Sequence, residues 1–169
     1  MFQSLSPFPS LRACSAILIT LAFAAHASAV EDDLRIVAQV QSGTAGFEPG
    51  VALEWRSSTF DRFVIRPELN LSEDQRIGGG AALLYSLRKN LDLPAGQDLN
   101  VGPRVVAHNS DDTGLEVDLM ATYSFALGDA MKSWRHAVGL LGTVGMRDDR
   151  KHDETRLGAS GGAFYSYRF

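Results

Sequence analysis

His108-Asn109-Ser110, followed by Asp111 and Asp112, places a base, a hydroxyl and two carboxylates within five positions. In that order His108 could draw the proton from a serine hydroxyl while an acid orients the imidazole, the arrangement used in nucleophilic catalysis. Serine two places after histidine is also ordinary turn chemistry, because short polar side chains bond back to the backbone there. No nucleophile motif in a recognisable strand–turn–helix context accompanies it. No catalytic residue is therefore assigned. His136 and His152 stand apart from it without metal-ligand spacing, so neither a metal site nor a cofactor is expected.

A second set of charged groups is dispersed. Arg35, Glu54, Arg56, Arg66, Glu68, Arg104, Glu116 and Asp118 each lie among apolar residues at alternate positions. Four cations face four acids, and the chemistry on offer is ion pairing. Side chains that alternate with period two belong to strands. Eight are expected: about Leu34–Gln41, Val51–Ser57, Arg62–Leu71, Ile77–Leu87, Asn100–Asn109, Leu115–Phe125, Trp134–Arg147 and Leu157–Phe169. Leu34, Ile36, Ala38 and Val40 share one face of the first, opposite Arg35, Gln39 and Gln41. Leu115, Val117, Leu119, Ala121, Tyr123 and Phe125 oppose Glu116, Asp118, Thr122 and Ser124 in the sixth. A turn centred near Phe60 would set Glu54 across from Arg66, and one near Asp111 would set Arg104 across from Asp118. Pro67 and Pro103 each remove a ladder donor and are expected at bulges or strand ends. Gly78-Gly79-Gly80 is expected to permit a distortion where the fourth strand starts.

Alternation alone also suits a soluble sandwich with its apolar side inward. The aromatic residues separate the two. If odd strands rise and even strands descend, Trp55, Phe63, Tyr85, Tyr123, Phe125 and Trp134 gather at one height with Tyr165, Tyr167 and Phe169. That is the expected form of a girdle at one membrane interface. No matching belt is visible at the other end.

Both ends of the sequence agree. Arg12 is the only formal charge before Glu31; Ala13 to Ala25 is short and almost wholly apolar, and Ala27-Ser28-Ala29 offers a small-residue cleavage site. Residues 1–29 read as a cleaved signal peptide, too short to span a bilayer. Arg12 precedes Cys14 by two and the apolar run follows it, which excludes a lipoprotein anchor. Residues 30–169 then form one domain, without cysteine and with 15 basic against 20 acidic residues, a net charge of −5. That balance, without a basic cluster, excludes nucleic acid as a partner. The terminal Tyr165, Tyr167 and Phe169 put three rings on one face of the last strand.

In size, strand count and this terminal aromatic signal, the chain resembles the small eight-stranded outer-membrane barrels of the OmpA and OmpX type; YfaZ-like proteins share the outline. The resemblance implies a signal for the barrel-insertion machinery at Tyr165, Tyr167 and Phe169. The expected fold is all-β: a closed antiparallel eight-stranded transmembrane β-barrel, monomeric, in the outer membrane of a Gram-negative bacterium. Eight strands enclose a space that side chains fill, so the eight charges above should form a plugged lumen network and not a pore. A structural or cell-surface interaction role follows, with outer-membrane lipids as partners. The charged stretch Arg147–Arg156 reads first as a solvated tip, as mixed-sign runs usually are, with contact to lipopolysaccharide phosphates at the outer rim as the alternative. Exposed outer loops are expected at 42–50, 72–76, 110–114 and 148–156. Some barrels of this appearance modify lipid A with a histidine, a serine and an acid, which makes His108 and Ser110 the alternative reading. A secreted barrel that holds an apolar ligand is the third.

Overall fold

The computed structural model of the chain describes residues 33–44, 46–57, 59–72, 77–109, 113–128, 135–149 and 154–169. The leader reading of residues 1–29, Trp134 and Ser110 to Asp112 lie outside them. Eight strands follow in order: β1 (Asp33–Gly43), β2 (Gly46–Arg56), β3 (Phe63–Leu71), β4 (Ile77–Ser86), β5 (Gln97–His108), β6 (Thr113–Ala126), β7 (His136–Asp149) and β8 (Glu154–Arg168). Each pairs antiparallel with the next, and β8 pairs with β1, so the sheet closes on itself. Closure removes the unpaired strand edges that an open sheet would present.

The pairing sets the geometry. A line of partners leaving β1 at Asp33 passes through Arg56, Leu84, Met120 and Ser160 and returns to β1 at Gly43. That offset of ten residues (43 less 33) over eight strands tilts the strands by about 40° from the barrel axis. One end of the barrel, the terminal rim, holds the start of β1 and the end of β8. The far rim holds the β1–β2 hairpin. Strand length is uneven: β3 and β4 have 9 and 10 residues, while β6, β7 and β8 have 14, 14 and 15.

Several strands run further than their alternation suggests. The expected loop over 42–50 is mostly ladder, because Gly43 pairs with Gly46 across a two-residue turn. The loop over 148–156 shrinks likewise, since Asp148 pairs with Thr155. Polar residues there read as loop, yet a ladder needs only backbone partners.

The prolines are the clearest departure. Pro67 and Pro103 sit inside β3 and β5, paired with Ala81 and Leu119, with no register shift at either. Each lacks a donor toward one neighbour only. Beside Pro67 the β2–β3 pairing skips from Ala52↔Glu68 to Trp55↔Ile65, and beside Pro103 the β4–β5 pairing skips from Ala82↔Arg104 to Tyr85↔Val101. The ladder opens there without bulging, held by the unbroken pairing on the other side. The irregularity in the pairing instead falls between Thr113 and Glu116. Gly78-Gly79-Gly80 stays in register as well. A Cβ on Gly80 would fall 2.8 Å from the Val106 Cα, so glycine there allows close approach of β5.

Side chains divide by parity. Outward positions are apolar and exposed, among them Ile36, Val51, Ile65, Leu83, Val105, Val117, Leu119 (53 %) and Leu140 (61 %). Inward positions hold the buried charges, with Arg66 at 0 % and Arg104 at 1 %. The inner face is not wholly polar. Val37, Ala52, Val64, Ala82, Leu84, Met120, Leu141 and Phe164 form one buried apolar cluster within the barrel. Phe164 lies opposite Gly139, where a Cβ would come 2.4 Å from the ring and 2.4 Å from the Tyr123 carbonyl. Glycine leaves the space that the ring fills. Gly139→Ala should therefore destabilise the folded barrel by about 1–3 kcal/mol, read as a lowered urea midpoint. Gly142→Ala, whose new methyl meets nothing closer than 3.7 Å, should leave that midpoint nearly unchanged.

Candidate functional site

The inner face of β2, β3, β5 and β6 brings six of the sequence-predicted charges into one cluster. Arg104 donates through Nε to Glu68 at 2.5 Å and through Nη1 to Glu116 at 2.7 Å and Asp118 at 2.5 Å. Asp118 is its direct cross-strand partner. Arg66 donates to Glu54 and to the Gln39 side-chain carbonyl, and its Nε lies 3.8 Å from Glu68. The Arg66 guanidinium also sits 5.6 Å from the centre of the Phe164 ring, within reach of a cation–π attraction. A guanidinium remains charged under all ordinary conditions, so in this enclosed space each must be met by acceptors.

Residues that sequence reasoning left out complete the cluster. Gln39 donates to Asn70 at 2.8 Å, and Asn70 donates to Glu68 at 3.1 Å. Arg147 donates to Glu116 at 2.5 Å and lies 3.5 Å from Glu48. His108 turns inward, with Nε2 3.2 Å from Glu116. A cavity of about 20 Å³ lies beneath the far rim among Gln41, Glu48, Glu116, Asp118, Arg147 and Ser160. It has room for about one water.

Arg35 and Arg56 do not join that cluster. Arg35 bonds Asp33 at 2.8 Å, two residues away on its own strand, and Arg168 approaches the same carboxylate at 3.2 Å. Arg56 donates to Asp98 at 2.5 Å, and Ser86 donates to Asp98 at 2.8 Å. The eight charges expected in one network thus divide between the terminal rim and the far half. The reason is position: Arg35 and Arg56 lie at the terminal ends of β1 and β2 and meet acids there. Asp33, Glu48 and Asp98 share the inward parity of their strands but precede the starts that alternation assigns to them. Arg147 lies within its expected strand but reads as part of a charged loop.

On the outer face, Trp55, Phe63, Tyr85, Tyr123 and Phe125 all occupy outward positions toward the terminal rim. Phe63 and Tyr85 meet edge to face at 5.5 Å, as do Tyr123 and Phe125 at 4.6 Å. Tyr123 donates to Gln97 at 2.6 Å. Tyr167 lies 5.2 Å from the His136 ring and 5.6 Å from Phe169, and the Tyr165 hydroxyl is 2.5 Å from His136 Nδ1. Phe47 is exposed near the far rim. Below the girdle, the turn over 59–62 carries Asp61, whose hydrogen bond to Lys89 holds its carboxyl below the usual range. That contribution is present above the ordinary carboxylate pKa and fades as the pH falls through the lowered one.

Among the described residues no set of histidine, cysteine and acid side chains is arranged to hold a metal ion. No known protein family matches the chain, and no curated protein matches it. Among solved structures, the crystal structure of Neisserial surface protein A is similar at 12 % identity and a TM-score of 0.49. The similarity covers 82 % of this chain and 96 % of that one. The closed eight-stranded barrel stands on this chain's own strand pairing.

Removing one partner of a buried ion cluster strands the rest. Arg104→Met should cost about 3–5 kcal/mol, since Glu68, Glu116 and Asp118 lose a shared cation. Lys89→Met removes an exposed, solvent-screened pair and should leave the urea midpoint nearly unchanged. Paired urea titrations of the two variants check the contrast.

Proposed function

We propose that the chain is an integral outer-membrane barrel of a Gram-negative bacterium, with a side-chain-filled lumen and a structural or cell-surface interaction role. The observation that carries this reading is the inversion of sides: exposed leucine, isoleucine and valine outside, buried arginine and glutamate within. An apolar exterior of this extent is costly in water at roughly 25 cal/mol per Å². It costs nothing against hydrocarbon. An arginine turned toward the bilayer midplane would instead cost about 2–4 kcal/mol.

The strands have the required reach. A tilted membrane strand needs about 9–11 residues, and β3, the shortest, has nine. Both the start of β1 and the end of β8 lie at the rim that carries the aromatic girdle, which in this reading faces the periplasm. Residues 1–29 act as the export leader. Tyr165, Tyr167 and Phe169 on the closing strand are read by the insertion machinery, and the far rim at the end of β7 and the start of β8 meets lipopolysaccharide. The protein works as a monomer.

A secreted barrel for apolar ligands would need an apolar interior, whereas Arg66 and Arg104 occupy this one. The lipid-A-modifying alternative requires His108 beside a serine, and His108 turns into the lumen onto Glu116.

Protein extracted in mild detergent and left unheated should migrate on a denaturing gel apart from the boiled sample, and cell fractionation should recover it with the outer membrane. Release into a periplasmic extract, without heat-dependent mobility, would defeat the reading. Phe169→Ala should reduce the heat-modifiable fraction in cells several-fold while the purified variant still refolds in detergent.

A further inference from the structure

Two concavities lie back to back at the turn between β2 and β3. On the outward face, a groove of about 320 Å³ is walled by Trp55, Phe60, Phe63, Ile65 and Leu83, with Ser57 at its edge. Toward the barrel mouth, a cleft of about 460 Å³ is lined by four cations, Arg56, Arg62, Arg88 and Lys89, and by two carboxylates, Asp61 and Asp92. With Asp98 bonded to Arg56 and Asp61 to Lys89, the rim sets four cations against three acids, a small positive excess in a chain of net charge −4. Arg62 joins the two spaces. Its guanidinium donates to the Tyr85 hydroxyl at 3.0 Å, and Tyr85 stacks edge-on against Phe63 of the groove. The cation is thereby held on the outward side, at girdle height, beside the apolar channel.

From this juxtaposition we propose that the groove and the Arg62–Lys89 rim form a docking site for an anionic glycerophospholipid, acyl chain along Trp55, Phe60 and Ile65, phosphate on Arg62 and Lys89. The site deepens the membrane reading above and rests on it. An acyl chain suits a groove whose walls carry almost no polar group and which opens where the outer belt meets the girdle. A phosphate suits a guanidinium already fixed by a tyrosine, since little side-chain freedom remains to be lost on binding. Lys89 adds a second cation that is shared with Asp61, on a stem long enough to exchange that carboxylate for the headgroup. A neutral zwitterionic headgroup would gain less from the same excess of positive charge.

The chain contains two tryptophans, so Trp134→Phe leaves Trp55 as the sole indole reporter inside the groove. This variant is reconstituted in phosphatidylcholine vesicles containing either phosphatidylglycerol or phosphatidylcholine with brominated acyl chains, at equal mole fraction. The expected result is stronger Trp55 quenching by the brominated phosphatidylglycerol, equivalent to an enrichment on the order of five-fold at the site. The excess should vanish in R62Q/K89Q and shrink as salt is raised. Equal quenching by both lipids would overturn the docking site while leaving Trp55 in hydrocarbon and the membrane reading intact. Absence of quenching by either, with the sheet signal of circular dichroism retained, would overturn the membrane reading and the site together. An excess that survives R62Q/K89Q would place the selection elsewhere. Quenching that falls as protein concentration in the bilayer rises, with cross-linking through Phe60→Cys, would give the groove to a second copy and also overturn the proposal.

Discussion

Eight strands closed with an offset of ten residues leave an interior that only side chains can occupy. Whatever points inward must be packed and, if charged, neutralised on the spot, because there is little room for water to do either. Arg104 illustrates the constraint. Its guanidinium meets Glu68, Glu116 and Asp118 from three directions, and those acids come from β3 and β6, on either side of β4 and β5. The cluster therefore spans four consecutive strands, and Arg147 extends it from β7 across the lumen to Glu48 of β2. Burial of such charges is not itself a source of stability. Its effect is to penalise every register in which the partners fail to meet.

The same closure decides what the outside can be. With ions inside, the apolar half of each alternating strand has nowhere to go but outward. Parity couples the two faces rigidly, since a shift of one residue would exchange them along the whole strand. The apolar layer of Val37, Leu84, Met120 and Phe164 relieves this demand within the lumen: it fills volume without requiring further counter-charges. Phe164 does both jobs, packing over Gly139 and lying beneath Arg66.

Much of this was legible in the order of residues. Period-two alternation located all eight strands, and a turn centred on Phe60 or Asp111 was enough to set Glu54 against Arg66 and Arg104 against Asp118. What alternation missed, it missed for physical reasons. Asp33, Glu48 and Asp98 belong to strand ends, where polar composition imitates a loop although backbone pairing continues. Phe164 has inward parity, but its neighbours Tyr165 and Tyr167 advertise an outward aromatic face and conceal it. Pro67 and Pro103 looked like breaks because a missing donor matters to a ladder; in a strand flanked on both sides, it matters on one side only. The apolar layer inside the lumen left no signal at all, since valine and leucine at inward positions read as lapses in an otherwise polar face.

The unequal strands have a topographic consequence. β6, β7 and β8 exceed β3 and β4 by four to six residues, and the surplus rises at the far rim. The wall is cut obliquely, like a quill, tall on one flank and low on the other. The tall flank overtops the low one by roughly two turns of the pleat, on the order of 10 Å. Among the described residues, the paired ends of β7 and β8 at Asp149 and Glu154 are thus the part of the wall that stands farthest from the chain's closing seam at Phe169.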